Sequence, residues 1–249
     1  MPCAAVRDLI GTDDLAAAYA VQQGLVQARI ATGVDVVGRK IGATSKAVQD
    51  QLGVDQPDFG YLLSDMDVSE GASDRAGTPI SMRTLVQPRV EAEVAFVLGR
   101  DIDVPEEEIT LERVRDAVQM ALPALEIVDS RIEDWDIGFT DTVADNASSG
   151  LFVVGRDGLP LSGIEPRDVT MSLSINDVER SAGTGAACLG DPLEALRWLA
   201  VQAARFGDPL RAGHLILSGA LGPFVPFAPG DRVTASISGF APLTVSFEE

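Results

Sequence analysis

Gln87-Pro88-Arg89-Val90-Glu91-Ala92-Glu93-Val94-Ala95-Phe96-Val97-Leu98-Gly99 has the pattern of a strand with two acids planted in it. Alternation puts Val90, Val94, Phe96 and Leu98 on one face, so Glu91 and Glu93 share the other with Ala95 and Val97. Like charges one pleat apart repel unless water or a cation compensates. A second apolar run, Ala121-Leu122-Pro123-Ala124-Leu125-Glu126-Ile127-Val128, carries a single acid in its middle. Bracketed by Leu125 and Ile127, Glu126 is not expected to be fully solvated, and an acid that is buried needs a partner. Spacing alone leaves two readings open: solvated strand faces, or an oxygen-only cluster that suits a hard divalent ion such as Mg²⁺ or Mn²⁺.

At 249 residues with 46% hydrophobic side chains, the chain is long enough and apolar enough to bury a substantial core. Its 38 acids against 19 bases leave a formal charge of −19, which disfavours nucleic acid as a partner. A small anionic substrate would also be repelled at long range, so any site that takes one requires local positive charge. No apolar stretch reaches the ~20 residues that cross a bilayer. The opening residues lack the basic and apolar regions of a signal peptide, and Cys3 and Cys188 are too few for a disulfide framework. A cytoplasmic location is the expectation.

Along the chain, Thr12-Asp13-Asp14 predicts a helix capped by the Thr12 hydroxyl, with Gly33 to close it. Val36-Val37-Gly38-Arg39-Lys40-Ile41-Gly42 predicts a short strand whose glycines allow close approach to Lys40, which is either a surface lysine or a site residue. Residues 45–52 predict a short helix, and Asp58 falls in a predicted turn over 56–61. The polar stretch 67–80 predicts a boundary, giving an N-terminal helical part over 1–75 packed on a mainly β core over 76–249, the two forming one functional unit. Residues 111–118 read as a helix entering the Glu126 strand, and 192–206 as a helix that starts at Asp191-Pro192 and stops at Gly207. Later strands are expected at 151–154, 169–175, 215–217, 232–237 and 243–247. The densest polar segments, 129–135 and 141–149, are expected to be loops that either fold over a site or simply cap one. Leu217-Ser218-Gly219-Ala220-Leu221-Gly222-Pro223 is expected to be a small-residue loop offering N–H groups and the Ser218 hydroxyl to a carboxylate, or an ordinary tight loop. Gly183-Thr184-Gly185 opens no helix, and His214, the only histidine, reads as structural.

Taken together, five segments resemble the hydratase/decarboxylase branch of the fumarylacetoacetate hydrolase superfamily. They are Val37-Gly38-Arg39-Lys40-Ile41-Gly42, the run 49–60 ending in Gln56-Pro57-Asp58-Phe59-Gly60, Gln87-Pro88-Arg89-Val90-Glu91-Ala92-Glu93, Pro123-Ala124-Leu125-Glu126 and Asp141-Thr142-Val143-Ala144-Asp145-Asn146-Ala147-Ser148. The resemblance runs from about Asp8 to the C-terminus. It implies an α+β fold, a mixed β-roll or sandwich with N-terminal helices, assembled as a homo-oligomer. It implies a divalent ion, Mg²⁺ or Mn²⁺, on Glu91, Glu93 and Glu126. It implies Lys40 and Asp58 as the acid/base and positioning pair, and Ser218, Gly219, Gln87 and Ser148 around the substrate. A neighbouring ion and partial desolvation are then expected to lower the Lys40 pKa.

The activity so implied is hydration of a short dienol acid, 2-hydroxypenta-2,4-dienoate or a homologue, to a 4-hydroxy-2-oxo acid in the breakdown of aromatic ring-cleavage products. Members that hydrolyse carbon–carbon bonds use an N-terminal histidine, which this chain lacks. The alternatives are a metal-dependent decarboxylase of the 4-oxalocrotonate type and a non-catalytic ligand-binding or scaffold partner. Association with a decarboxylase or aldolase is a further expectation. Trp135 and the segment 218–223 look like the hydratases, whereas His214 stands where an acid is expected.

Overall fold

The computed structural model describes residues 1–45, 48–49, 54, 56–71 and 79–249. Its helices are α1 (Arg7–Ile10), α2 (Leu15–Ile30), α3 (Leu111–Ala117), α4 (Phe139–Ala144) and α5 (Pro192–Arg205). The strands are β1 (Val36–Gly42), β2 (Asp58–Leu63), β3 (Ile80–Ser81), β4 (Pro88–Leu98), β5 (Val118–Asp129), β6 (Ser149–Val154), β7 (Thr170–Ile175), β8 (Val178–Thr184), β9 (Leu215–Ala220), β10 (Val225–Pro226), β11 (Arg232–Ile237) and β12 (Leu243–Glu248). Most of the helix expected at 45–52 and half of the boundary at 67–80 lie outside the described residues.

Two sheets form, ordered β2-β1-β9-β4-β5-β6, with β10 on β4, and β3-β12-β11-β7-β8. The main core joins Val90, Val94, Phe96 and Leu98 of β4 to Leu173 of β7, Val233 of β11 and Leu196 and Leu199 of α5. α5 forms as its sequence predicts: Asp191 accepts from the Leu193 N–H, Pro192 occupies the first turn, and one face of Leu and Ala is buried. Each such buried leucine contributes about 1.5–3 kcal/mol.

The other face of the large sheet closes over a smaller cluster of Leu62, Ala95, Leu122, Ala124, Phe152, Leu215 and Leu217. Period-two alternation therefore assigns an inner line to each strand: Arg89, Glu91, Glu93 and Ala95 on β4, and Leu122, Ala124, Glu126 and Val128 on β5. On β2 the inner line is Asp58, Gly60 and Leu62. The antiparallel register pairs Arg89 with Val128, Glu91 with Glu126, Glu93 with Ala124 and Ala95 with Leu122. The inner face is thus apolar at one end and carries its acids in the middle.

Several expectations change. Asp14, not Thr12, caps α2, accepting from the Ala17 N–H at 2.9 Å, because the chain turns helical only at Leu15. Asp58 opens a fully buried strand rather than a turn, since β2 pairs along β1. The polar segment 141–149 is a buried helix and turn, not a loop. The stretch after Leu217 continues β9 to Ala220. β8 was missed: only Ser181 of its seven residues is buried, so it carries almost no apolar signal. The helical part expected over 1–75 contains α1 and α2 but also β1 and β2, and β1 pairs with β9 from the far end of the chain.

Candidate active site

Glu91, Glu93 and Glu126 converge as neighbours in register, all three buried. Among the described residues, each offers an oxygen within 4.8 Å of the others. Glu93 Oε2 accepts the Gly219 N–H at 2.7 Å, but Glu93 Oε1 and both oxygens of Glu126 accept no hydrogen bond. Three buried carboxylates, two of them with orphaned oxygens, fit a hard divalent cation, because a charge of opposite sign offsets their desolvation and mutual repulsion. The solvated-face reading of these acids does not hold.

Lys40 enters from β1. Its Nζ lies 3.2 Å from Glu126 Oε1 and donates to the Ala147 carbonyl at 3.0 Å. Asn146, Ala147 and Ser148 all have φ near +54°, a run of left-handed residues that turns this carbonyl toward Lys40. Asn146 secures the run by bonding both backbone groups of Tyr61, accepting from its N–H at 2.8 Å and donating to its carbonyl at 2.9 Å. Thr142 lies 3.4 Å from Asp58 Oδ2 and 3.2 Å from Ser148 Oγ, leaving Asp58 Oδ1 without a partner. A Cβ on Gly42 would fall 2.1 Å from that Oδ1, so glycine is what lets Asp58 sit here.

Burial sets the ionisation of the group. It lifts the Glu91 carboxyl to about 7, with Glu126 adding and Lys40 opposing. Glu93 is held well above the usual carboxylate range by burial, then by Glu126 and Glu91. Burial likewise raises Glu126 and Asp58 against the pull of Lys40. Burial pulls Lys40 down, but Glu126, Asp58, Glu91 and Glu93 outweigh it and the net shift is upward. The lowered lysine expected from the sequence is therefore not a property of these side chains, which surround one cation with four carboxylates.

These groups open on a cavity of about 260 Å³ lined by Lys40, Asp58, Glu91, Thr142, Ser148, Arg89, Trp135 and Phe224 among others. That is below the ~300–1,000 Å³ of sites for drug-sized ligands, so it suits a short molecule. Six of the expected site residues cluster: Lys40, Asp58, Glu91 and Ser148 line the cavity, and Glu93 and Glu126 lie behind them, beside Glu91 and Lys40. Three take other places. Ser218 shares the core face of β9 with Ile216, and its hydroxyl is buried away from the cavity lining. Gly219 gives its N–H to Glu93 rather than to a ligand. Gln87 Nε2 donates to the Ser130 and Ile132 carbonyls and its Oε1 accepts from the Asp134 N–H, which shapes the 130–135 segment. Arg89 was missed, although it lies two residues before Glu91 and so on the same face. His214 is structural as expected, its Nδ1 accepting from the Arg211 N–H at 3.2 Å.

Residues 37–248 match the fumarylacetoacetate (FAA) hydrolase C-terminal family. The chain is 50% identical over 247 residues to 2-keto-4-pentenoate hydratase of Paraburkholderia xenovorans, covering 99% of this chain and 89% of that one. It is 43% identical over 232 residues to 2-hydroxyhexa-2,4-dienoate hydratase of Comamonas testosteroni, covering 93% and 86%. Among solved structures it resembles 4-oxalocrotonate decarboxylase from Pseudomonas putida G7, complexed with magnesium and adipate, at TM-score 0.91 and 31% identity, covering 99% and 90%.

Proposed function

The chain belongs to the fumarylacetoacetate hydrolase family and has its α+β fold, and from that premise we propose a hydro-lyase that adds water to 2-hydroxypenta-2,4-dienoate or a close homologue. The observation that carries the reading is the buried glutamate triad with Lys40 and Asp58 at its side. Hydratases are the relatives at 43–50% identity, against 31% for the decarboxylase. Glu91, Glu93 and Glu126 would hold Mg²⁺ or Mn²⁺, which when bound supplies Lewis-acid polarisation of the substrate's 2-oxygenated acid group.

The protons are the work of the chain's own residues. The dienol must lose its O–H proton and gain one at C5, giving a 2-oxo-3-enoate whose C4 is electrophilic. Water then adds its OH at C4 and a proton is placed at C3, so the sum is one water gained. Lys40, charged and held by Glu126 and the Ala147 carbonyl, is the proton donor at Nζ. Asp58 Oδ1, buried and without a partner, is the acceptor for the proton of water. Ser148 and Thr142 hold Asp58 in place.

A cytoplasmic homo-oligomer, able to associate with a decarboxylase or aldolase, completes the proposal. Among the described residues, no helix is long and apolar enough to cross a membrane. The test is loss of dienol absorbance with and without chelator, in wild type and Glu93→Gln, with the product weighed. The expected result is a mass gain of one water, abolished by chelator, with Mn²⁺ affinity and turnover both falling by more than about 100-fold in the variant. Carbon dioxide release would identify a decarboxylase instead. Full turnover by a variant that binds no ion would remove the mechanism.

A further inference from the structure

Arg89 occupies an unusual position for a cation in so acidic a chain. Its guanidinium carbon lies 4.3 Å from the ring centre of Trp135 and 5.0 Å from that of Phe224. The two rings stand 5.8 Å apart, and Trp135 is fixed by its indole N–H donating to the Gln87 carbonyl at 2.9 Å. Aromatic faces attract the guanidinium plane, and among the described residues no oxygen accepts its N–H groups, so the edge of the fork stays available. Among the described residues, no carboxylate ion-pairs with it. Among the described residues, the other cation lining the cavity, Lys40, is already engaged by Glu126 and the Ala147 carbonyl.

Register places Arg89 relative to the rest. Along the inner face of β4 the order is Ala95, Glu93, Glu91, Arg89, from the apolar floor outward, with Val128 of β5 opposite Arg89. One pleat repeat is about 7 Å, so Arg89 stands one step beyond the glutamates, while Lys40 reaches Glu126 within their level.

We propose that Arg89 receives the substrate's carboxylate, so that the acid lies with its C1 end against the Arg89 guanidinium, which rests on the adjacent Trp135 and Phe224 rings, and its C4–C5 tail toward Lys40 and Asp58. This rests on the hydratase reading, since the tail is where protons and water must arrive. It also supplies the local positive charge that a substrate anion needs to enter a chain of net charge −19. A planar fork held against two neighbouring rings loses little freedom on binding, which lysine at the same place would not match.

The experiment titrates 2-oxopentanoate and its primary amide, separately, into Mg²⁺-loaded wild type, Arg89→Gln and Arg89→Lys, reading affinity by calorimetry. Arg89→Gln should weaken the acid by about 10- to 100-fold and the amide by no more than about twofold, with Arg89→Lys in between. Mn²⁺ affinity should be unchanged in both variants. An unchanged acid affinity, equal weakening of acid and amide, or a loss of Mn²⁺ affinity would each overturn the assignment while leaving the hydratase reading intact. Wild type that binds neither compound would overturn both.

Discussion

A carboxyl raised to about 7 in the middle of a metal-type cluster makes Glu91 report on protons and cations at once. Its ordinary value is 4.5, so the folded chain without an ion keeps a proton there that the unfolded chain has already released. The stability tied to that proton is present below the unfolded value and is lost as pH rises through about 7. Chelator-treated protein should therefore melt at a lower temperature at pH 8 than at pH 6. An ion must displace the proton, so Mn²⁺ should bind more weakly at pH 6 and raise the melting temperature more at pH 8. Calorimetric scans at the two pH values, with and without Mn²⁺, check both signs. Lys40 and Arg39 show how far one residue step carries: Arg39 turns to the opposite side, packing 3.9 Å over the Tyr61 ring and pairing with Asp208 at 2.6 Å. Charge and neighbourhood in sequence did not separate them; strand parity did.

At the scale of elements, β1 and β2 act together as a holder for Lys40 and Asp58. Gly42 is paired with Asp58 in register, and the space its missing side chain leaves is filled by the Asp58 carboxyl. Gly42→Ala should push Asp58 out of line and lower turnover by about 100-fold, the scale of a lost acid/base group, while Mn²⁺ affinity stays within about threefold. Steady-state rates beside metal titrations test this, and a collapse of both would mean that the substitution had disturbed the sheet instead. Gly219 holds the other side. It sits at φ +111° with its N–H on Glu93, and a Cβ there would meet the Thr44 side chain at 2.4 Å. From the sequence, this segment is either a loop that faces a ligand carboxylate or an ordinary tight loop. It grips a carboxylate, but that of the protein.

For the molecule as a whole, the large sheet is assembled from both ends of the chain. β1 pairs in parallel with β9 there, and β3 with β12 in the second sheet, so Gly38 sits beside Leu215 and Ile80 beside Phe247. A chain covering 76–249 alone would leave the edge of β9 unpaired and would lack Leu62, Lys40 and Asp58. It should be aggregation-prone and show no cooperative melt, whereas the full chain should unfold in one transition followed by circular dichroism. A sharp melt of the shorter chain would show instead that residues 1–75 are an appendage. The N-terminus is itself tied in, because Asp141 accepts from the Val6 and Arg7 N–H groups at 2.7 and 2.8 Å and pairs with the Arg7 guanidinium.

Alternation in 87–99, the lone acid of 121–128 and the caps of α5 are local signals, set by backbone period and side-chain chemistry. They marked the strands and singled out the three glutamates, but left solvated faces and a metal cluster both open and Lys40 as either a surface lysine or a site residue; the resemblance of whole segments to the family is what assigned them. Parity also contained Arg89, which went unread because a charged residue at a strand's start looks solvated. What could not be read was which strands become neighbours and which face turns inward, since pairing depends on contacts distant in sequence. That tertiary choice sent Ser218 to the core, made Asp58 a strand residue and drew the polar 141–149 segment inside. It also surrounded Lys40 with enough negative charge to raise its pKa where burial alone would have lowered it.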